Sequence, residues 1–243
     1  MAGERTVRVW AWIAAAHDGD GPVSVGAVCR AAVRWLGVDG ASVTVLNGVA
    51  ALHGAASEPL FASDELSARL EELQFTTGEG PGAGEFRLGA PVLVPDLELV
   101  AARWPGFVSA AVAAGARAMF VAPLQAGEIR VGVLTLYRAA AGPLEPGELA
   151  DMLVFADIAL QLVLDGAAGI GGPAEYGLDG LSDRRAEVYQ ATGMISVQLG
   201  VSLEEAFVRL RAHAFASGAA LGDVAVEVIS RALRFDPEPE PLA

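Results

Sequence analysis

Residues 116–139, ARAMFVAPLQAGEIRVGVLTLYRA, decide the fold of the larger part of the chain. Two apolar runs flank Gly127. In the second run Ile129, Val131, Val133, Thr135 and Tyr137 fall on one face, and Arg130, Gly132, Leu134, Leu136 and Arg138 on the other. Period-two alternation rich in β-branched residues on either side of a glycine turn predicts a β-hairpin.

Working outward, residues 41–54, ASVTVLNGVAALHG, carry a second hairpin signal. Asn47-Gly48 sits between Val43, Val45 and Val49, Ala51, and Asn-Gly supplies the two positive-φ positions of a type I′ turn. Helices are expected near 5–17, 24–37, 63–73, 104–114 and 147–165, with Ser24 capping the second, Ser63 or Asp64 the third, and Gly115 stopping the fourth. Residues 91–94, PVLV, read as a short strand. The order α-α-β-β-α-β-α-β-β-α, with hairpins at both ends, predicts an α+β fold: an antiparallel sheet flanked by helices.

The composition breaks at 166–180, GAAGIGGPAEYGLDG, which reads as a flexible linker spanning roughly 20 Å. The expected organisation is a mixed α/β domain at 1–165, the linker at 166–180, a three-helix all-α domain at 181–236 and an acidic, Pro-containing tail at 237–243. In the first tail helix Val188, Ala191, Ile195 and Leu199 form one apolar stripe, which Gly200 stops. Ser202-Leu203-Glu204-Glu205 is a capping box opening the second helix, which Gly218 ends. Asp223 is expected to cap the third, which is expected to bury Val224, Ala225, Val228, Ile229 and Ala232 or Leu233. So small a domain is marginal alone, and dimerisation or support from the first domain is expected.

The chain has 243 residues, 53% of them hydrophobic and 19% charged, enough to build packed cores. All 16 basic residues are Arg, and the net charge is −14. That charge argues against a nucleic-acid binder only if it is evenly spread, and it is not: residues 181–236 hold six Arg against seven acids. The single cysteine, Cys29, excludes an intrachain disulfide and reads as an inert buried thiol. No apolar run reaches the ~18 residues of a membrane span, so a cytoplasmic protein without membrane contact is expected. His17, His53 and His213 lack partners at ligand spacing, so no metal or other cofactor is expected. Glu79-Gly80-Pro81-Gly82 superficially resembles a phosphate loop, but it lacks the Gly-Lys-Ser/Thr ending. No Ser-His-Asp or paired-carboxylate set can be argued, and enzymatic activity is not expected.

The tail from about Leu181 to Phe235 resembles an ANTAR domain. The resemblance is carried by Arg185-x-x-Val188-x-Gln190-Ala191-Thr192-Gly193-Met194, Gly200-Val201-Ser202-x-x-Glu205-Ala206-Phe207, Leu210-Arg211-x-x-Ala214 and Leu221-x-Asp223-Val224-Ala225. Thr192 stands where the family usually has Lys, and Ser196 where it often has Met. The first region resembles a GAF domain of the type that precedes ANTAR in actinobacterial proteins. Thr77-Gly78-Glu79-Gly80-Pro81-Gly82, Pro91-Val92-x-Val94-x-Asp96, Arg103-Trp104-Pro105-x-Phe107, Ala122-Pro123-Leu124 and Gly132-Val133-Leu134-x-Leu136-Tyr137 carry it.

The resemblance implies an RNA-binding regulator that acts in transcription antitermination. It would hold paired stem-loops with hexanucleotide loops, as a homodimer, under the control of a GAF sensor for a small molecule or partner. The residues expected to contact RNA are Arg184, Arg185, Gln190, Thr192, Arg209, Arg211, His213, Arg231 and Arg234, with Arg231 and Arg234 as i, i+3 neighbours on the third helix. Trp104, Phe107, Phe120 and Tyr137 are the candidates for lining a sensor pocket, although Pro105 at a helix start and Trp104 as a core anchor explain their string equally. The competing reading is a protein-interaction module whose helical tail pairs with a partner or dimerises. A helix-turn-helix DNA binder is disfavoured, because no tail helix offers a long basic face.

Overall fold

The computed structural model describes residues 2–17, 21–46, 57–82, 89–167 and 181–236. They belong to two compact units, Met1–Leu178 and Asp179–Ala243. In the first unit the 116–139 hairpin forms as β4 (Ala118–Ala126) and β5 (Ile129–Arg138), turning at Gly127 with a φ of 59° that glycine adopts freely. On its other edge β5 pairs with β1 (Gly40–Leu46), from Gly40↔Tyr137 to Val45↔Gly132. β2 (Ser57–Ala62) and β3 (Val92–Val94) form the edges, giving an antiparallel sheet in the order β2-β1-β5-β4-β3.

The pleat sends alternate residues to opposite faces, and both faces are covered. Phe120, Ala122, Leu134 and Leu136 pack in one core with residues of α1 (Ala2–Ala15), α2 (Val25–Trp35) and α5 (Pro146–Ala167). Met119 and Tyr137 face the other way, into a core with Leu70 of α3 (Glu65–Thr77) and Phe107 of α4 (Pro105–Ala114). Each fully buried phenylalanine contributes roughly 1.5–3 kcal/mol over an exposed one. α1 is also tied by charge: Arg5 and Arg8 both donate to the buried Asp151 carboxylate of α5, at 2.6 and 2.7 Å. Trp12 stacks on Trp35 of α2 and on Phe155 of α5.

Four details depart from the sequence pattern. The Asn47-Gly48 turn and the strand expected at Val49–Ala51 lie outside the described residues. The strand that β1 is described pairing with is Ser57–Ala62, with Leu46 opposite Ser57, so all of 47–56 lies between the paired ends. Leu60 is an extra residue between Phe61↔Val43 and Pro59↔Thr44, a bulge that lets an edge strand carry a proline. Val131 is likewise extra between Leu124↔Gly132 and Gln125↔Arg130, and it packs against the opposite core from the one its alternation predicts. Finally, α5 continues to Ala167, into the start of the glycine-rich stretch.

The second unit is all-α: α6 (Leu181–Leu199), α7 (Leu203–Ser217) and α8 (Leu221–Ile229). Val188, Ala191 and Ile195 are buried as the stripe predicts, as are Phe207, Leu210, Val224 and Val228. Ser202 caps α7 by accepting from the Glu205 amide at 3.1 Å. The Glu205 carboxylate, however, takes the Arg209 Nε at 2.8 Å. α8 starts at Leu221 behind Ala220, so Asp223 is a first-turn residue favoured by the helix dipole rather than the cap. No single helix among the described residues is long and apolar enough to cross a membrane.

The Gly132 site sets a test of the central pairing. A Cβ there would collide with the Thr44 carbonyl on β1. Gly132→Ala is expected to cost about 1–3 kcal/mol through overpacking, read as a lower midpoint in chemical denaturation.

Candidate nucleic-acid interface and sensor cavity

In the first unit the polar interior is concentrated on the sheet face beneath α3. The buried Glu71 carboxylate accepts from Ser42 Oγ and Thr44 Oγ1 of β1, both at 2.8 Å. The hydroxyls satisfy a group that would be costly to bury alone. One turn on, Gln74 Oε1 accepts from the Gly82 amide at 2.7 Å and packs under Gly80, whose φ of 121° and missing Cβ make the approach feasible. Thr44, Glu71 and Gln74 line a cavity of about 20 Å³ with Leu46, Phe75 and Val133. That is room for about one water-sized group.

The Thr77–Gly82 loop closes beside this cavity. Gly78 ends α3 in the left-handed conformation, and Glu79 Oε2 accepts from the amides of Gly106 and Phe107 at 2.7 and 3.2 Å. The chain's own carboxylate therefore occupies the α4 N-terminus, where the dipole and free amides favour an anion. The loop that superficially resembles a phosphate cradle is a helix cap.

None of the four residues expected to line a sensor pocket borders this cavity. Trp104 and Phe107 are core residues at the start of α4, with Pro105 as its first residue. Phe120 and Tyr137 lie on opposite faces of the sheet, because neighbouring strand positions pair as Phe120↔Leu136 and Met119↔Tyr137. They do not floor one cavity. Burial pushes the Tyr137 phenol up to about 12, helped by the Asp64 carboxylate that accepts its hydrogen bond at 3.4 Å. Burial also pushes the Cys29 thiol up, which disfavours the reactive thiolate.

In the second unit the expected RNA-contact residues separate into three groups. Arg185 and Thr192 are inside, 3% and 5% exposed. Thr192 Oγ1 donates to the Val188 carbonyl at 2.7 Å, the back-bond of a hydroxyl in a helix interior. In this conformation neither presents a surface to a nucleic acid. Arg211 lies over the Phe207 ring at 4.0 Å, and burial pulls its guanidinium down to about 10, still charged at neutral pH. Arg209 is engaged by Glu205, and the His213 ring meets Phe235 edge-on at 5.4 Å. The Arg184 side chain lies outside the described residues.

The third group remains at the surface. Gln190 is exposed on α6, and Arg231 and Arg234 are exposed beyond the end of α8. The two arginines are not helical neighbours, because α8 ends at Ile229 and Arg231 adopts a φ of 65°. With Gln190 they border a groove of about 630 Å³ whose α6 wall also holds Gly193, Met194, Val197 and Gln198. Spacing reveals that wall once α6 is known to bury Val188, Ala191 and Ile195, since 190, 193, 194, 197 and 198 then form a second stripe.

A family model for the GAF domain matches residues 25–162, and one for the ANTAR domain matches residues 181–229. The chain belongs to the GAF domain family and carries an ANTAR domain after it, a sensor domain followed by a regulatory one. A search of the curated proteins finds no match. Among solved structures, the chain is similar to a domain of a two-component sensor histidine kinase protein from Sinorhizobium meliloti, with 18% identity, a TM-score of 0.48, and coverage of 59% of this chain and 90% of that one. It is also similar to the GAF domain of a phosphoenolpyruvate-protein phosphotransferase from Coxiella burnetii, with 14% identity, a TM-score of 0.48, and coverage of 69% and 95%. At these levels the likenesses carry no functional inference.

Two outcomes follow from the buried groups. Folding holds the Tyr137 proton more tightly than the unfolded chain does, so this contribution is complete below pH about 10 and is lost as pH rises from about 10 to about 12. Tyr137→Phe should flatten that part of the stability–pH curve, measured by denaturant unfolding at each pH. Arg211→Ala should destabilise the ANTAR unit by about 2–4 kcal/mol through lost packing, and Arg211→Met by clearly less. Equal losses in melting experiments would refute a packing role for the stem.

Proposed function

We propose that this chain is a cytoplasmic, signal-responsive regulator that binds RNA stem-loops through its ANTAR domain and acts in transcription antitermination. The observation that carries the reading is the ANTAR match at residues 181–229, in a unit whose exposed arginines, Arg231 and Arg234, share one groove with Gln190. Guanidinium groups suit RNA because they fork onto phosphate and stack on unpaired bases. The bound stem-loops would exclude a terminator hairpin, and the polymerase would read on. Two hexanucleotide loops per target call for two ANTAR domains, hence a homodimer.

The GAF domain is the sensor in this reading. Its input is a small molecule or partner whose binding changes the availability of the ANTAR domain. Control acts by masking the ANTAR domain or by the dimer population. The reading assigns no catalytic step and no resident cofactor.

The test is binding of the full-length protein to a labelled RNA carrying two hexaloop stem-loops, with the loop sequence taken from selection out of a randomised library. Binding should depend on the loops, disappear with a scrambled loop, and weaken steeply between 50 and 200 mM salt, ranges over which phosphate contacts are released. Binding indifferent to loop sequence at every salt concentration would refute the RNA reading.

A further inference from the structure

The groove on the second unit has the parts of a seat for a single nucleotide. Its floor is the α6 stripe that faces away from the bundle core. Met194 and Val197 supply apolar surface there, and Val197 is 85% exposed. Between them and Gln190 lies Gly193, where an added Cβ would meet nothing within 4 Å. The helix backbone is therefore bare at this point, and a flat ring can lie close against it.

The opposite wall, Arg231, Leu233 and Arg234, is held in place. The Phe235 amide donates to Gln198 Oε1 at 3.0 Å, the Leu233 amide donates to the Glu227 carbonyl at 3.0 Å, and the Phe235 ring packs on His213. Because Gln198 spends its oxygen on Phe235, what it offers to the groove is its two N–H donors. Arg231 is the one non-glycine residue with positive φ among the described residues. A side chain in that backbone region is strained where glycine would not be, and such strain is often found where a side chain is needed for function.

The chemistry of the lining selects the occupant. A peptide helix would need a longer apolar trough, and the lining here is two amides, two arginines and a short apolar floor; the Asp236 carboxylate stands 3.8 Å from Arg234 Nε, a solvent-exposed pair that a phosphate can displace. A nucleobase uses all three parts: its face on apolar surface, its edge on amide groups, its phosphates on guanidinium. We propose that this groove seats one unstacked loop nucleotide of RNA. The base lies over Gly193 against Met194 and Val197. Gln198 donates to an acceptor on its edge, the exposed Gln190 amide completes the reading, and Arg231 and Arg234 hold the flanking phosphates. The assignment rests on the RNA-binding reading above and adds the place and the contacts.

The experiment measures affinity of the full-length protein for the selected two-stem-loop RNA and for a series in which each loop nucleotide in turn is abasic. Two variants accompany the wild type. Gly193→Leu fills the groove at a helical position with open space, so the fold should be retained or stabilised. Arg231→Gly removes a cation and relieves the positive φ, so the melting temperature should not fall. One abasic position should weaken wild-type binding at least about tenfold. Gly193→Leu should weaken binding of the intact RNA to the same level and add nothing on that abasic RNA, the non-additivity of a shared contact. Arg231→Gly should weaken all the RNAs alike and flatten the salt slope by roughly 0.7.

Loop-dependent, salt-sensitive binding that Gly193→Leu leaves at the wild-type level would overturn the groove while the RNA reading stands. The same holds if every abasic RNA binds equally well. Absence of loop-dependent binding by the wild type would overturn both.

Discussion

β5 is hydrogen-bonded along both edges, to β1 and to β4, and its two faces feed two separate cores. A strand with no free edge and no free face needs a layer on each side, and the rest of the first unit supplies them. On one side α1, α2 and α5 form an almost wholly apolar layer, with Asp151 as its buried acid, held by two arginines. On the other side α3 and α4 cover the sheet, and the buried hydroxyls of Ser42, Thr44 and Thr135 gather there with Glu71 and Gln74. The division places the polar interior, and the small cavity within it, on one face only.

Carboxylates do much of the joining in this unit, and each does so by accepting from donors that would otherwise be left unpaired. Glu79 reaches the bare amides at the start of α4, Asp64 caps α3 through the Ser67 amide, and Glu71 is satisfied from β1. A chain this acidic lowers the cost of holding its acids in the fold by giving the inner ones neutral donors or nearby guanidinium. The second unit meets the complementary difficulty. It has a small core, so the stems of Arg185 and Arg211 become part of it.

How much could be read in advance differs sharply between the two units. The order of helices and strands in the first unit follows the sequence pattern, as do the caps at Ser24 and Ser202, because these features depend on neighbours a few residues away. The bulges at Leu60 and Val131 were not legible, since a bulge is a relation between two strands rather than a property of one. The pocket candidates meet a related limit. Aromatic character is the same signal whether the ring lines a cavity or fills a core, and only the pairing Phe120↔Leu136 shows that Phe120 and Tyr137 point apart. The arginines make the point again in the second unit, where composition gives six cations and no indication of which are inside.

The sequence by itself determined the two-part plan, the antiparallel sheet of the first part and the three helices of the second. Periodicity and turn residues are local, and they specify elements strongly. Tertiary structure alone decided which charged and polar groups remain available. Burial took Arg185 and Thr192 out of reach, and the early end of α8 moved Arg231 and Arg234 off the helix. The fold of the C-terminal segment back onto Gln198 brought both arginines to the open stripe of α6. Availability depends on what each side chain packs against across the chain, and those contacts exist only once the helices have met.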